Sequence, residues 1–133
     1  MIASISHITF IVSDLEKMSN FLIRIFDAKE IYSSDGREYS ISKEKFFQIE
    51  DLWIAIMEGK ALVEKSYNHI AFKIPDSDYD NYLNRITSLG VEILSSRNRV
   101  EGEGRSIYFY DYDNHLFELH TGNLDERLRV YRK

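Results

Sequence analysis

Cysteine is absent from this chain of 133 residues, and its absence excludes disulfide bonds, thiolate metal sites and cysteine nucleophiles. With one proline and six glycines, the sequence does not indicate a collagen-like or disordered segment. No apolar run approaches the roughly 18 residues of a membrane-spanning helix. Residues 1–6 lack the basic and long apolar regions of a signal peptide. We therefore expect a cytoplasmic protein without a membrane segment.

Apolar residues make up 44% of the chain and charged residues 29%, which is the composition of a globular protein. The length is that of one ordinary domain, and we expect residues 1–133 to form a single domain. The net charge of −5 argues against a nucleic-acid partner, because such partners bind basic surfaces. Local arginines can nevertheless form a pocket for an anionic small molecule.

An internal repeat is the most informative feature of the sequence. Residues 6–14, SHITFIVSD, resemble residues 68–76, NHIAFKIPD. Farther along, residues 28–31 align with residues 90–93 at the same spacing. An ordered series of matches at one constant spacing indicates two copies of one structural module.

Both copies show the same predicted order of elements. An alternating strand opens each copy, at residues 5–12 and 67–74. Asp14 and Asp76 follow these strands as predicted helix N-caps, and an amphipathic helix comes next in each copy. Gly90 lies where the second helix is expected to end.

Shorter strands complete each copy. We predict them at residues 29–33, 38–42, 52–58, 91–95, 105–111 and 115–120. The result is an α+β fold built from two βαβββ modules, at about residues 1–59 and 67–122. A C-terminal helix is predicted at about residues 123–131.

Two histidines, His7 and His69, occupy matching positions of the repeat. Because side chains alternate along a strand, His7 shares a face with Thr9, and His69 shares a face with Tyr67. A lone histidine on a strand is more often a hydrogen-bonded structural residue than a ligand. Two histidines at matching positions of pseudo-symmetric modules approach a common axis, and this favours metal binding.

Glu118 is the candidate third ligand. It lies between Phe117 and Leu119 on a predicted strand, where a carboxylate is costly to bury unless it binds a positive group. Two imidazoles and one carboxylate suit Mn, Fe, Co, Ni or Zn and leave open the coordination positions that a catalytic metal needs. His120 shares a strand face with Glu118, so spacing leaves it open as a ligand, although we prefer a supporting role. His115, at the strand entry, is interpreted as structural.

These features resemble the vicinal oxygen chelate superfamily, which includes glyoxalases, bleomycin resistance proteins and dioxygenases and pairs βαβββ modules around a divalent metal. More narrowly, residues 1–131 resemble the fosfomycin-resistance proteins. The segments that carry this resemblance are ISHIT at 5–9, YNHIAF at 67–72, EGEGRSIYF at 101–109, DNHLFELH at 113–120 and LDERL at 124–128.

The resemblance implies an enzyme that inactivates fosfomycin, a small epoxide bearing a phosphonate, and so confers antibiotic resistance. It also implies a homodimer in which modules from both chains complete each active site. His7, His69 and Glu118 would hold Mn(II) or another divalent metal there. Some members of the family add a thiol to the epoxide, whereas the FosX-type members add water with the help of manganese and a glutamate general base.

The segment SKEKFF at residues 42–47 is similar to the one that carries this glutamate, which would be Glu44. Spacing alone would leave Glu44 a solvated charge in a charged loop. The resemblance implies instead that Glu44 takes the proton of the attacking water. Trp53, Phe46 and Phe47 fit the core or a pocket wall equally well.

The resemblance also implies a set of contacts to the substrate. Ser106 and Tyr108 match phosphonate-contacting positions of the family, and Arg127 matches a family arginine near the C-terminus. Thr9 and Tyr67 are expected to line the pocket, because they share strand faces with the predicted histidine ligands.

A further cation is expected before Ser106, and Arg97, Arg99 and Arg105 are the candidates, with Arg99 included in our predicted site. Each of them can equally be a surface charge. Glyoxalase-like isomerases usually bring a further carboxylate or amide to the metal, and Ile54 and Ile56 offer none.

Two other functions stay open: a thiol transferase that uses glutathione or bacillithiol, and a metal-free antibiotic-binding protein of the same fold. Metal-free relatives lack the ligand set that this sequence keeps. The favoured interpretation is a Mn(II)-dependent epoxide hydrolase with fosfomycin and water as its substrates.

Overall fold

The computed structural model describes residues 1–37, 40–95 and 99–133. It divides into two compact units, Met1–Val63 and Glu64–Lys133. Each unit contains one four-stranded sheet and has the order βαβββ, which confirms the predicted α+β fold. Among the described residues, no helix combines the length and the apolar character needed to cross a membrane.

The first unit opens with a strand whose alternation places apolar side chains against a helix. Its elements are β1 (His7–Val12), α1 (Leu15–Phe26), β2 (Lys29–Ser33), β3 (Glu44–Ile49) and β4 (Leu52–Glu58). The sheet order is β1-β4-β3-β2, with β1 parallel to β4. Phe10 and Val12 are buried, as are Phe21 and Leu22 of α1, while His7 lies on the exposed face. Burial of each such apolar side chain stabilises the unit by about 1.5–3 kcal/mol.

The second unit repeats this arrangement. Its elements are β5 (His69–Lys73), α2 (Tyr79–Ser88), β6 (Ile93–Leu94), β7 (Ser106–Tyr110), β8 (Leu116–His120) and the C-terminal helix α3 (Leu124–Tyr131). The sheet order is β5-β8-β7-β6, with β5 parallel to β8. Phe109 and Phe117 are fully buried on one face of this sheet. The opposite face carries Tyr108 and Glu118, which are paired across β7 and β8.

The helix boundaries agree with prediction in one unit and differ in the other. The carboxylate of Asp14 accepts a hydrogen bond from the Lys17 backbone N–H at 3.0 Å and caps α1. The prediction that Asp76 caps α2 is wrong, because a short 3-10 helix spans Asp76–Asp78 and α2 begins only at Tyr79. Asp76 instead forms an ion pair with Arg105 at 3.0 Å. Gly90 has a φ of 69° just after α2, as expected of a residue that ends a helix.

The strand predicted at residues 38–42 is also wrong. Residues 38–39 lie outside the described part of the chain, residues 40–42 form bends, and the strand is β3 (Glu44–Ile49). The cause is a tight hairpin: Ile49 pairs with Leu52, and Glu50 in the turn between them has a left-handed φ of 50°. That turn sets the register of β3 against β4. Because β3 begins with two charged residues, the alternation of apolar side chains does not show where the strand starts.

Candidate metal centre

Two of the three predicted ligands meet inside the second unit. Glu118 lies on β8 opposite Ala71 of the parallel strand β5, and His69 is two residues before Ala71 on the same face. Oε1 of Glu118 lies 3.0 Å from Nε2 of His69. Glu118 is only 4% exposed, so its carboxylate needs positive or donating partners to offset the cost of burial.

A backbone carbonyl orients the His69 ring. Nδ1 of His69 lies 2.7 Å from the carbonyl oxygen of Tyr67. A carbonyl only accepts, so Nδ1 carries the proton and Nε2 is the atom directed at Glu118. Metal-binding histidines commonly show this arrangement, with one ring nitrogen held by a backbone acceptor and the other free for the metal.

A chain of hydrogen bonds supports Glu118 from the other side. The Oγ of Ser106 donates to Oε2 of Glu118 at 2.6 Å and lies 2.7 Å from Nδ1 of His120. Because the hydroxyl has one hydrogen, Nδ1 of His120 must donate to it, which leaves Nε2 as an acceptor facing Nη2 of Arg127 at 3.4 Å. Burial lowers the pKa of His120, in keeping with a neutral ring. His120 therefore lies behind Glu118, while His115 contacts Asp111 at 2.7 Å.

One of the candidate arginines borders this carboxylate. Nη2 of Arg99 lies 3.7 Å from Oε2 of Glu118 and donates to the hydroxyl of Tyr108 at 3.0 Å. Arg105 points elsewhere, since it pairs with Asp76 and stacks at 4.0 Å over the Tyr79 ring. Arg97 lies outside the described residues.

Tyr108 is the aromatic neighbour of both ligands. It pairs directly with Glu118 across β7 and β8, and its ring centroid lies 5.4 Å from that of His69 and 5.7 Å from that of Tyr67. Burial, a hydrogen bond with Tyr67 and the charge of Glu118 raise the pKa of Tyr108 to about 12. The phenol therefore remains a hydrogen-bond donor at neutral pH.

His7, the third predicted ligand, belongs to the first unit. Its ring is exposed and stacks on the Trp53 ring at 4.1 Å, and Nδ1 lies 3.0 Å from Oγ of Ser6. Thr9 lies on the same exposed face. Within the described residues, no group of three His, Cys, Asp or Glu side chains that could hold a metal is found.

The position equivalent to Glu118 in the first unit is Ala55. Ala55 pairs with Thr9 as Glu118 pairs with Ala71. From the sequence, we looked for a further ligand at Ile54 and Ile56, which was one position out of register. Both isoleucines are fully buried on the opposite face of the sheet. The methyl group of Ala55 offers no ligand, and the conclusion that this strand adds none is unchanged.

The structure corrects the surroundings predicted for Glu44 from spacing alone. Glu44 is not in a solvated loop but is the first residue of β3, and it is only 8% exposed. It pairs with Met57, which pairs with Ile11, so Glu44 shares a sheet face with His7. Among the described residues, no hydrogen bond or ion pair engages its carboxylate.

The neighbours of Glu44 on β3 face the other way. Lys45 forms ion pairs of 2.9 Å with Glu16 and with Glu30, and Phe47 is fully buried in the core. The hydrogen bonds to Glu30 and Glu16 raise the pKa of Lys45 despite its partial burial. Phe46 points to the Glu44 face, with its ring centroid 5.1 Å from that of Trp53.

Sequence reasoning missed Glu103, which is fully buried beside the predicted site. Its Oε1 accepts from Nη1 of Arg99 at 3.0 Å and from the Tyr131 hydroxyl at 2.7 Å. The local signal was the EGEG segment, in which the two glycines have left-handed φ values of 92°. The partner in α3 is distant in sequence, and no pattern pointed to it.

The chain is similar to known proteins over its whole length. The model of the glyoxalase/bleomycin resistance protein/dioxygenase superfamily matches residues 4–119. The fosfomycin resistance protein FosX of Listeria innocua is 62% identical, with both chains covered completely. A crystal structure of a FosX variant from Listeria monocytogenes with Mn(II) and 1S,2S-dihydroxypropylphosphonic acid is 60% identical, with a TM-score of 0.91 and coverage of 98% and 99%. The metallothiol transferase FosB of Lysinibacillus sphaericus is 38% identical over 99% of this chain and 92% of FosB.

Proposed function

We propose that this chain, which belongs to the glyoxalase/bleomycin resistance protein/dioxygenase superfamily, is a Mn(II)-dependent hydrolase that adds water to the oxirane of fosfomycin. The observation that carries the proposal is the diol bound to the L. monocytogenes relative. Fosfomycin is an epoxypropyl phosphonate, and a dihydroxypropyl phosphonate is what it becomes when water opens the ring. The lower identity to the thiol transferase favours the same choice.

The residues present suit a divalent metal. His69 directs Nε2 at the buried carboxylate of Glu118, and a cation between them would satisfy both groups. His7 is the proposed third ligand, and two imidazoles with one carboxylate are a donor set that accepts Mn(II). When bound, the metal would act as a Lewis acid that favours charge on the epoxide oxygen.

We further propose a homodimer in which His7 of one copy joins His69 and Glu118 of the other. The exposed face of β1, where His7 and Thr9 lie beside the 41% exposed Ile11, is consistent with a surface that a second copy covers. The single domain of residues 1–133 and the cytoplasmic location stay predictions.

The phosphonate would bind among donors that lie beside Glu118 or His120. Arg99 and Arg127 supply guanidinium groups, which suit phosphonate oxygens, and Tyr108 supplies a protonated phenol. Ser106 donates its hydrogen to Glu118, so its proposed phosphonate contact requires that hydrogen bond to rearrange. Thr9 and Tyr67, both exposed, complete the proposed pocket.

Glu44 is the proposed general base. Its carboxylate takes a proton from water as the water oxygen forms a bond to one epoxide carbon. The C–O bond of that carbon breaks, and its electron pair goes to the former ring oxygen. That oxygen takes up a proton from solvent and becomes the second hydroxyl, and Glu44 releases the proton it accepted, which restores its carboxylate. The product is a vicinal diol, and the reaction requires no thiol.

Phosphorus NMR tests this assignment directly. Fosfomycin would be incubated with the protein and Mn(II), with and without a thiol. We expect conversion to the diol in both samples. Turnover only with the thiol would indicate a transferase, and binding without turnover would indicate an antibiotic-binding protein.

A further inference from the structure

One fully buried carboxylate, that of Glu103, belongs neither to the proposed metal ligands nor to the proposed substrate contacts. Glu103 is 0% exposed, and both of its oxygens are engaged. Oε1 accepts from Nη1 of Arg99 and from the hydroxyl of Tyr131, while Oε2 accepts from the backbone N–H of Val100 at 2.8 Å. A buried carboxylate is retained at such a position only when donors compensate its lost hydration.

The guanidinium of Arg99 lies between Glu103 and the candidate metal centre and contacts both. It is planar, so holding Nη1 against Glu103 also sets the direction of Nη2. Nη2 faces the hydroxyl of Tyr108 and Oε2 of Glu118. Glu103 is the closer carboxylate, because its contact with Arg99 is 3.0 Å and that of Glu118 is 3.7 Å.

The backbone around Glu103 keeps its side chain inside. Gly102 and Gly104 both have a φ of 92°, a conformation that side chains rarely adopt. A Cβ at Gly104 would lie 2.7 Å from the backbone nitrogen of Gly122. On the far side, Tyr131 is the last residue of α3, the helix that also carries Arg127. Glu103 thus connects the loop that carries Arg99 to α3, the helix that carries Arg127.

We propose that Glu103 is a positioning residue, which holds the Arg99 guanidinium toward Tyr108 and Glu118 and ties its loop to α3. Its effect on substrate binding rests on the proposed function. Its effect on the orientation of Arg99 does not, and can be measured without turnover.

The kinetic test is a double-mutant cycle with Glu103→Gln and Arg99→Ala. Losing the charged partner of Arg99 is expected to raise the KM for fosfomycin about tenfold or more and to change kcat less. In the Arg99→Ala background, Glu103→Gln should raise KM no further. Glu101→Gln is the matched control, because Glu101 is exposed in the same loop. Equal effects of Glu103→Gln in both backgrounds would overturn the proposal.

The activity-independent test is the nitrogen-15 spectrum of the Arg99 guanidinium. Restricted rotation in the wild type should give separate resonances for Nη1 and Nη2, and Glu103→Gln should merge them. If Glu103→Gln does not fold, Tyr131→Phe, which removes one of the bonds to Glu103, should cause a smaller KM increase and partial merging. Separate resonances in Glu103→Gln would overturn the proposal. If Glu103→Gln is unfolded, an unchanged KM and an unchanged spectrum in Tyr131→Phe would overturn it. Failure of wild-type hydrolysis would instead refute the proposed function, and this spectrum would still decide the role of Glu103.

Discussion

Nε2 of His69 lies 3.0 Å from Oε1 of Glu118, across the parallel strands β5 and β8. Ala71, which pairs with Glu118, has only a methyl side chain, so it leaves space on the sheet face that the histidine and the carboxylate share. The sheet and the Tyr67 carbonyl together orient both groups. Two of the three proposed ligands are therefore organised within one unit of the fold.

The first prediction concerns the metal. Replacing His7, His69 or Glu118 by Ala should abolish tight Mn(II) binding and hydrolysis, because each change removes one of three proposed ligands. Isothermal titration with Mn(II) measures the binding directly. His115→Ala is the control, since His115 contacts Asp111 and should leave Mn(II) affinity intact. Stoichiometric metal and full activity in the His69 variant would show that the site is misassigned.

The second prediction concerns sites shared between copies. His7→Ala and His69→Ala should each be inactive alone. In a mixed dimer, one site combines His7 of one copy with His69 of the other, and both are intact. Refolding an equal mixture should therefore restore about one quarter of wild-type activity. No recovery in a mixture that sedimentation shows to be dimeric would argue against shared sites.

The third prediction concerns the phosphonate. Arg127→Ala should raise the KM for fosfomycin, and Tyr108→Phe should do so less, with Mn(II) affinity nearly unchanged. Loss of a charge-assisted hydrogen bond costs roughly 1.5–3 kcal/mol. Steady-state kinetics on Arg105→Ala provide the control, because Arg105 is paired with Asp76. Unchanged kinetics in Arg127→Ala would remove that residue from the pocket.

The fourth prediction separates the two aspartates of the repeat. Asp14→Ala should lower the free energy of unfolding by about 1 kcal/mol, because it removes the N-cap of α1. Asp76→Ala should cost less, because it removes only an exposed ion pair with Arg105. Urea denaturation of both variants measures the difference. A larger loss in Asp76→Ala would mean that the second aspartate has a structural role that its contacts do not explain.

Much of the fold followed from alternation along the strands. The alternation at Phe10 and Val12 predicted that one face of β1 is buried and that His7 lies on the opposite face. The repeat predicted the same position for His69 on β5. Glu118 was predicted as a ligand from its sequence neighbours, since a carboxylate flanked by apolar residues on a strand requires a partner.

The remainder depended on contacts that no local pattern records. The position of β3 depends on a left-handed Glu50 in a tight turn, and charged residues at the start of the strand obscured its period. Asp76 was expected to cap α2 because the repeat suggested it, but a 3-10 turn intervenes before Tyr79. Glu103 is bonded to Tyr131, which is distant in sequence.

We expect the carboxylate of Glu44 to activate the attacking water. Its burial on the sheet face of His7 and its lack of a described partner for the carboxylate motivate the test. Glu44→Gln keeps the shape of the side chain and removes the base, which is typically responsible for about 10²–10⁴-fold in rate. Glu58→Gln, an exposed position at the end of β4, is the control.

Hydrolysis of fosfomycin in oxygen-18 water, without thiol, is the most direct measurement. We expect one oxygen-18 atom in the wild-type diol, detected by mass spectrometry. We also expect a rate loss of about 10²-fold or more in Glu44→Gln, with Mn(II) and fosfomycin binding retained. A wild-type rate in Glu44→Gln, or turnover that requires added thiol, would contradict the proposal that Glu44 activates water.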